Sequence, residues 1–171
     1  MNNIIGLLLV ILFGGAGLIS IFIIVNLLLP APIERTRAAL EASLGRSLLL
    51  GFINFLFAGV VGVLLALPAR LGGIVAGIFV FLIGLLALAV AALTLLGFVA
   101  ATSLLGNRIG ETKSPAATQV RGGILLLLAC LTPYLGWFIF TPLVVWAAFG
   151  AAIQAIFRRK SAVAATDIGH A

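Results

Sequence analysis

An all-α integral membrane bundle of five transmembrane helices is the architecture expected of this 171-residue chain, and three properties point to it. Long runs of Leu, Val, Ile, Ala, Phe and Gly fill the chain between Ile4 and Phe157, with no charged residue or His deep inside any of them. Charged residues make up 8% of the chain, against about a quarter in a soluble domain, and surface this apolar is hidden only by lipid. Finally, the ten Lys and Arg residues flank the runs rather than interrupt them, which is how spans are oriented in a membrane.

The first span is expected over Ile4 to Leu29, ending at Pro30 and Pro32, which cannot continue a helix interior. No Lys or Arg precedes it, and it exceeds the roughly 7–15 residues of a signal-peptide core. A retained helix is therefore expected, with cleavage after Ala31 as the alternative. Residues 31–46 read as a short cytoplasmic amphipathic connector. Pro32 suits a first helical turn, Arg37 and Glu41 lie four apart, and Ile33, Leu40 and Leu44 are expected to rest on the bilayer surface.

The second span runs from Ser47 to Leu67 and stops at Pro68; the third extends from Leu71 to Leu105. The third is roughly 50 Å long against a hydrocarbon core of about 30 Å, so it must tilt, protrude, or break near Gly97. The final apolar block contains Thr132-Pro133-Tyr134-Leu135-Gly136-Trp137, the composition of a tight turn at a membrane interface. It is split accordingly into a fourth helix, Ala117 to Thr132, and a fifth, Gly136 to Phe157, with Pro142 placed to kink the fifth. A four-span bundle with a broken last helix is the alternative. Residues 47–157 thus form a four-helix module, 158–171 a basic tail, and Asn107 to Gln119 a flexible linker.

Charge supports the split. With five spans and the N-terminus outside, nine basic residues gather on the cytoplasmic side and Arg70 stands alone outside; four spans give at best six against four. The expected location is the bacterial inner membrane, N-terminus out and C-terminus in. The net charge of +6 is accounted for by this topology and by lipid headgroups, with Arg35, Arg37, Arg158, Arg159 and Lys160 as headgroup-binding residues. No basic stripe is interleaved with exposed aromatics, so nucleic acid is not an expected partner.

Helices in lipid associate through close packing of small residues. Gly73, Gly77, Gly84 and Ala91 supply such a face on the third helix, and Ala148, Ala152 and Ala155 on the fifth. Contact between this chain's own helices is the first expectation for each face; docking of a partner protein, lipid or pigment is the alternative. The polar residues inside the spans, Ser20, Asn26, Asn54, Thr94, Ser103 and Gln154, are expected to bond helix carbonyls or a neighbouring helix. Asn54 and Thr94 are the candidates for a functional buried polar contact.

Catalytic, cofactor and metal sites are not expected. Cys130 is the only cysteine and lies in an apolar run, where it serves as a packing residue; His170 is the only histidine and lies in the tail. Glu34, Glu41, Glu111 and Asp167 all fall outside the spans, and no nucleophile, phosphate-loop or zinc motif is present.

Gly45-Arg46-Ser47 before an apolar run, Pro133-x-Leu135-Gly136-Trp137, and Phe149-Gly150-Ala151 resemble the small multi-spanning membrane module of bacterial polymer-forming, bactofilin-like proteins, over Gly45 to Phe157. In that module the proline-glycine turn separates two spans. The repeat-built β-helical part of those proteins has no counterpart in this sequence, and the first helix is an addition. The resemblance therefore implies a non-catalytic membrane anchor or scaffold and carries no cytoskeletal role. Three functions follow in order of expectation. The first is a structural or accessory subunit packed against other integral membrane subunits of a respiratory or photosynthetic complex. The second is an oligomeric pore or small-solute transporter lined by Asn54 or Thr94, and the third a surface module binding membrane lipids or a cytoplasmic partner.

Overall fold

A computed structural model describes residues 2–110 and 114–168, with the backbone alone for 2–4, 7, 71 and 158–168. Among the described residues there are six α-helices and no strand: α1 (Asn2–Leu28), α2 (Pro30–Ala42), α3 (Leu44–Ala66), α4 (Gly73–Ile109), α5 (Pro115–Leu131) and α6 (Thr141–Ile168). Four segments are long and apolar enough to cross a membrane: Leu8–Leu28, Leu44–Arg70, Gly73–Ile109 and Gly136–Phe157. The expected fifth span is present as α5, but its 17 residues measure about 25 Å, short of a bilayer core.

Two turns reverse the chain. Between α3 and α4 a 3₁₀ turn, Pro68–Leu71, leads into Gly72 and Gly73, both at positive φ (80° and 64°), a conformation that side chains resist and glycine does not. Between α5 and α6 the chain reverses at Pro133–Leu135, as its composition predicts, with Tyr134 at φ 64°. A π-helical turn, Gly136–Phe140, follows. There the Thr141 N–H and hydroxyl both donate to the Gly136 carbonyl, the hydroxyl at 2.7 Å. Pro142 has no N–H to give Phe138, and the wider turn takes up that break before regular helix resumes. Tyr134, Trp137 and Phe138 stand exposed around this turn; Tyr and Trp are the amphipathic aromatics that favour membrane interfaces.

The helices meet where glycine lets backbones touch. A Cβ added at Gly51 would overlap the carbonyl of Trp146, and one at Gly150 that of Ser47, so α3 and α6 run antiparallel in direct backbone contact. Gly97 lies against Ala148, Gly106 against Thr118 and Gly122 against Thr102 in the same way, joining α4 to α6 and to α5. Helix α1 packs more loosely, through Ile19 against Gly123, Gly15 against Leu127 and a stacked Phe22–Phe98 pair at 6.4 Å. Phe52–Trp146 and Phe55–Phe149 make edge contacts between α3 and α6.

Several sequence expectations are corrected. Helix α4 is continuous over 37 residues and does not break at Gly97, which is instead its closest contact with α6. All buried residues of α4 lie from Gly97 to Gly106; its other end is uncovered, with Ile74 86% exposed. The face of Gly73, Gly77 and Gly84 is therefore exposed, the three glycines having open space where a Cβ would be, while Ala91 borders an apolar cavity shared with α1, α3 and α5. Ala148, Ala152 and Ala155 are buried and do pack between helices.

Helix α2 forms where expected, and its apolar face is covered by the rest of the chain rather than left for a bilayer surface. Ile33 and Leu40, 2% and 4% exposed, join Phe22, Val99, Leu104 and Ala151 in the core, with Thr36 and Ala39 buried beside them. Leu44 is exposed. An apolar stripe at helical spacing states that a face is hidden, not whether lipid or protein hides it. The 107–119 segment is mostly helical as well: Asn107–Ile109 end α4 and Pro115 starts α5, while 111–113 lie outside the described residues.

Adding a side chain at a backbone contact should be costly where neither partner can move. Gly97→Val and Gly122→Val are expected to lower stability by about 3 kcal/mol or more, the upper range for overpacking, and Gly77→Val to leave it unchanged. Reversible denaturant titration in mixed micelles reads the difference.

Candidate functional site

Polar groups concentrate at the end of the bundle where α1 turns into α2 and where α4 ends and α5 begins. The buried ones are Thr36, Ser47, Thr102, Thr118 and Gln119. Gln119 is completely buried and ties α5 to α4: the Thr102 hydroxyl donates to its Oε1 at 2.5 Å, and its Nε2 donates to the Val99 carbonyl at 3.1 Å. This pair was not legible in the sequence, because Gln119 sits at the edge of a linker-like stretch and Thr102 near the end of an apolar run. A second interhelical bond joins Gln154 Nε2 to Ser47 Oγ at 3.1 Å, linking α6 to α3.

Beside this layer is a cavity of about 780 Å³ lined by residues of α1 (Asn26, Leu27), α2 (Pro30, Ile33, Glu34, Arg37), α4 (Ser103, Asn107) and α5 (Pro115, Thr118). Arg37 is its cation. Its Nη2 lies 3.1 Å from Glu34 and its Nε 3.5 Å from Glu41. The second approach is too long for a good hydrogen bond, and Nε, buried from solvent, has no hydrogen-bond partner. Arg37 is therefore held inside α2's ion-pair cluster with its side chain 26% exposed, whereas Arg35 and Arg46 are exposed. Of the two expected headgroup-binding residues whose side chains are described, Arg35 is exposed and Arg37 is half-buried in that cluster. The side chains of Arg158, Arg159 and Lys160 lie outside the described residues, as do Lys113 and His170.

The helical hydroxyls show which polar groups are unspent. Ser20, Thr36, Ser47, Thr94, Thr118 and Thr132 each donate to the carbonyl four residues earlier, the usual way a hydroxyl is satisfied inside a helix. Ser103, on the cavity wall, does not. Its side chain and those of Asn26 and Asn107, also on the wall, make no hydrogen bond with the described residues.

Asn54 and Thr94 are not brought together with this cavity. Asn54 Nδ2 donates to the Leu50 carbonyl at 2.8 Å and Thr94 to Val90 at 2.7 Å, each within its own helix. Thr94 and Cys130 line a separate, apolar cavity of about 530 Å³ among Phe22, Phe55, Phe98 and Leu126. Among the described residues no three of His, Cys, Asp and Glu converge on one point. No protein-family model, curated protein or solved structure matches the chain.

The buried Thr102–Gln119 pair should couple energetically. Thr102→Val and Gln119→Leu, singly and together, are expected to give a double-mutant coupling of about 1 kcal/mol, typical of a hydrogen bond between membrane helices. Additive effects in the same unfolding assay would show that the bond contributes nothing.

Proposed function

We propose that this chain is a non-enzymatic integral membrane subunit, a scaffold that packs laterally against other subunits of a larger bacterial membrane complex. The observation that carries the reading is the contrast between the two halves of α4. From Gly97 to Gly106, small residues bring it into backbone contact with α5 and α6. From Gly73 to Gly84 the same kinds of residue recur with open space where a Cβ would be. In lipid, small-residue faces are what helix association uses, so the uncovered half has the chemistry of the covered half without its partner. The resemblance to a bacterial membrane-anchor module supports the same reading.

The hydrogen bonds of Asn54 and Thr94 tie each group to a carbonyl of its own helix, which favours packing over conduction. The orientation belongs to the proposal too. Chain direction gathers Arg35, Arg37, Arg46, Arg108 and the start of α5 at one end and Arg70 at the other, so the first end faces the cytoplasm by the positive-inside rule.

Native purification followed by mass spectrometry is expected to recover companion membrane chains. Gly77→Leu with Gly84→Leu should release them without changing the stability of the isolated chain, and a solitary monodisperse wild type overturns the reading. For orientation, in a Cys130→Ala background, Arg70→Cys should react with an impermeant maleimide on intact cells and Arg46→Cys only after permeabilisation.

A further inference from the structure

We propose that the apolar cavity beside Thr94 and Cys130 is a slot for the end of one phospholipid acyl chain, drawn from the leaflet at the Arg70 end of the bundle. Five helices wall its volume of about 530 Å³, through Phe22, Phe55, Phe98, Leu126 and Val145 of α1, α3, α4, α5 and α6 in turn. That volume falls in the range of ligand sites, about 300–1,000 Å³. Leu126 and Phe22 are 5% and 7% exposed, so the space reaches into the bundle and is more than a crease on its surface.

The space is held open at both ends. Gly97 lies on the backbone of Ala148 and Gly122 on that of Thr102, which fixes α4 against α6 and α5 beside the deep end. Gly136 lies on the carbonyls of Ala129 and Cys130, which ties the far end of α5 to the turn that starts α6. These backbone contacts keep the walls from closing, and a void left empty forfeits the contacts of every atom that lines it.

The mouth opens sideways. Helix α1 packs on α4 and α5, and α3 on α6 and α4, with the strip of α4 from Ala91 to Phe98 between them. The exposed lining residues, Leu18, Phe55 and Ala91, belong to those three helices. The deep end is shut, because Phe98 stacks on Phe22 and Phe22 joins Ile33, Leu40 and Val99 in the core. By helix rise, Ala91 and Phe98 lie about 25 Å and 15 Å from Arg108. In a hydrocarbon core of about 30 Å this is the half remote from the basic end.

The lining selects which part of a lipid enters. No charged side chain lines the cavity among the described residues. Thr94 spends its hydroxyl proton on the Val90 carbonyl, and the other polar side chain is the weakly polar thiol of Cys130. A headgroup or a quinone ring would leave its hydrogen bonds unmet there, whereas hydrocarbon has none to lose. The Ala91–Phe98 strip is about 10 Å long, and the chain of one leaflet spans about 15 Å, half the core. A chain whose ester stays at the interface therefore brings its terminal part to Phe98.

The test uses the full-length protein in phosphatidylcholine nanodiscs doped with a phospholipid carrying a diazirine near the terminal methyl of one chain. After irradiation, adducts are assigned to residues by mass spectrometry. Ile53 and Leu56, exposed neighbours of Phe55 on α3, lie at the depth of the slot but outside it, where lipid of the annulus labels most. Phe98 and Leu126 are nevertheless expected to carry about fivefold more adduct than these two, roughly 1 kcal/mol in occupancy. A probe with its diazirine beside the ester should lose that excess. Ala91→Trp and Leu18→Trp, at exposed positions of the mouth, should each abolish it without lowering the thermal unfolding midpoint. Labelling that follows exposure, an excess that survives both substitutions, or an equal excess with the ester-side probe overturns the proposal. Displacement of the label by equimolar polyprenol assigns the slot to isoprenoid chains and overturns the acyl assignment. The isolated chain suffices for every arm, so the outcome is separate from that of the scaffold reading.

Discussion

Backbone contact between helices is the constraint on which this structure depends. Lipid tails are as apolar as leucine, so burying Leu or Phe between spans gains little relative to leaving them in the bilayer. What distinguishes the packed state is closeness, which multiplies dispersion contacts and admits Cα–H···O contacts. Gly51 on Trp146, Gly150 on Ser47, Gly97 on Ala148, Gly106 on Thr118 and Gly122 on Thr102 are the points where it is achieved. The aromatic pairs between α3 and α6 fill space around these contacts and do not create them.

Closeness also determines where polarity is tolerated. The amide of Gln119 reaches the Val99 carbonyl and the Thr102 hydroxyl because Gly122 and Gly106 have already drawn α5 onto α4. With larger residues there, the amide would be buried without partners, at a cost of about 1–3 kcal/mol. The hydrogen bond from Gln154 to Ser47 depends on Gly150 in the same manner. Helix α2 then seals this end by placing Ile33, Thr36, Ala39 and Leu40 in the core. The result is a bundle with protein-like packing at one end and largely uncovered helices at the other.

Local chemistry was the most legible part of the sequence. Pro30 and Pro32 fixed the α1–α2 boundary, and the Pro133 to Trp137 stretch fixed the α5–α6 turn, because proline acts through its own ring and missing N–H. Partnership was less legible. Gly73, Gly77 and Gly84 form the cleaner small-residue repeat, yet the glycines that pack, Gly97 and Gly106, were not distinguished by spacing. What selects them is the short reach of α5 and α6, a tertiary property. Ile33 and Leu40 were recognised as a hidden face and assigned the wrong cover for the same reason. Gln119 and Thr102 were missed because a buried amide bond requires two helices in register, which no single stretch of sequence reveals. Helix α5 was found close to its expected bounds, and at 17 residues it is shorter than the four long apolar segments because its first turns, Thr118 and Gln119 included, belong to the packed layer.

The elbow shows how a boundary signal can also set packing. Two prolines end α1 and start α2, and they do so by withholding N–H groups from Asn26 and Leu28. The chain turns there, and the turn lays α2 back onto α4 and α6, where Ile33, Ala39 and Leu40 enter the core. The polar residues beside the elbow keep their contact with water: Asn107 and Glu34 are exposed, and Asn26, Arg37 and Ser103 are half-buried. Arg37 is held between Glu34 and Glu41 of its own helix. One helix thus turns an apolar face to the bundle and a paired, polar face outward, which is why α2 can cover this end without leaving a buried charge unpartnered.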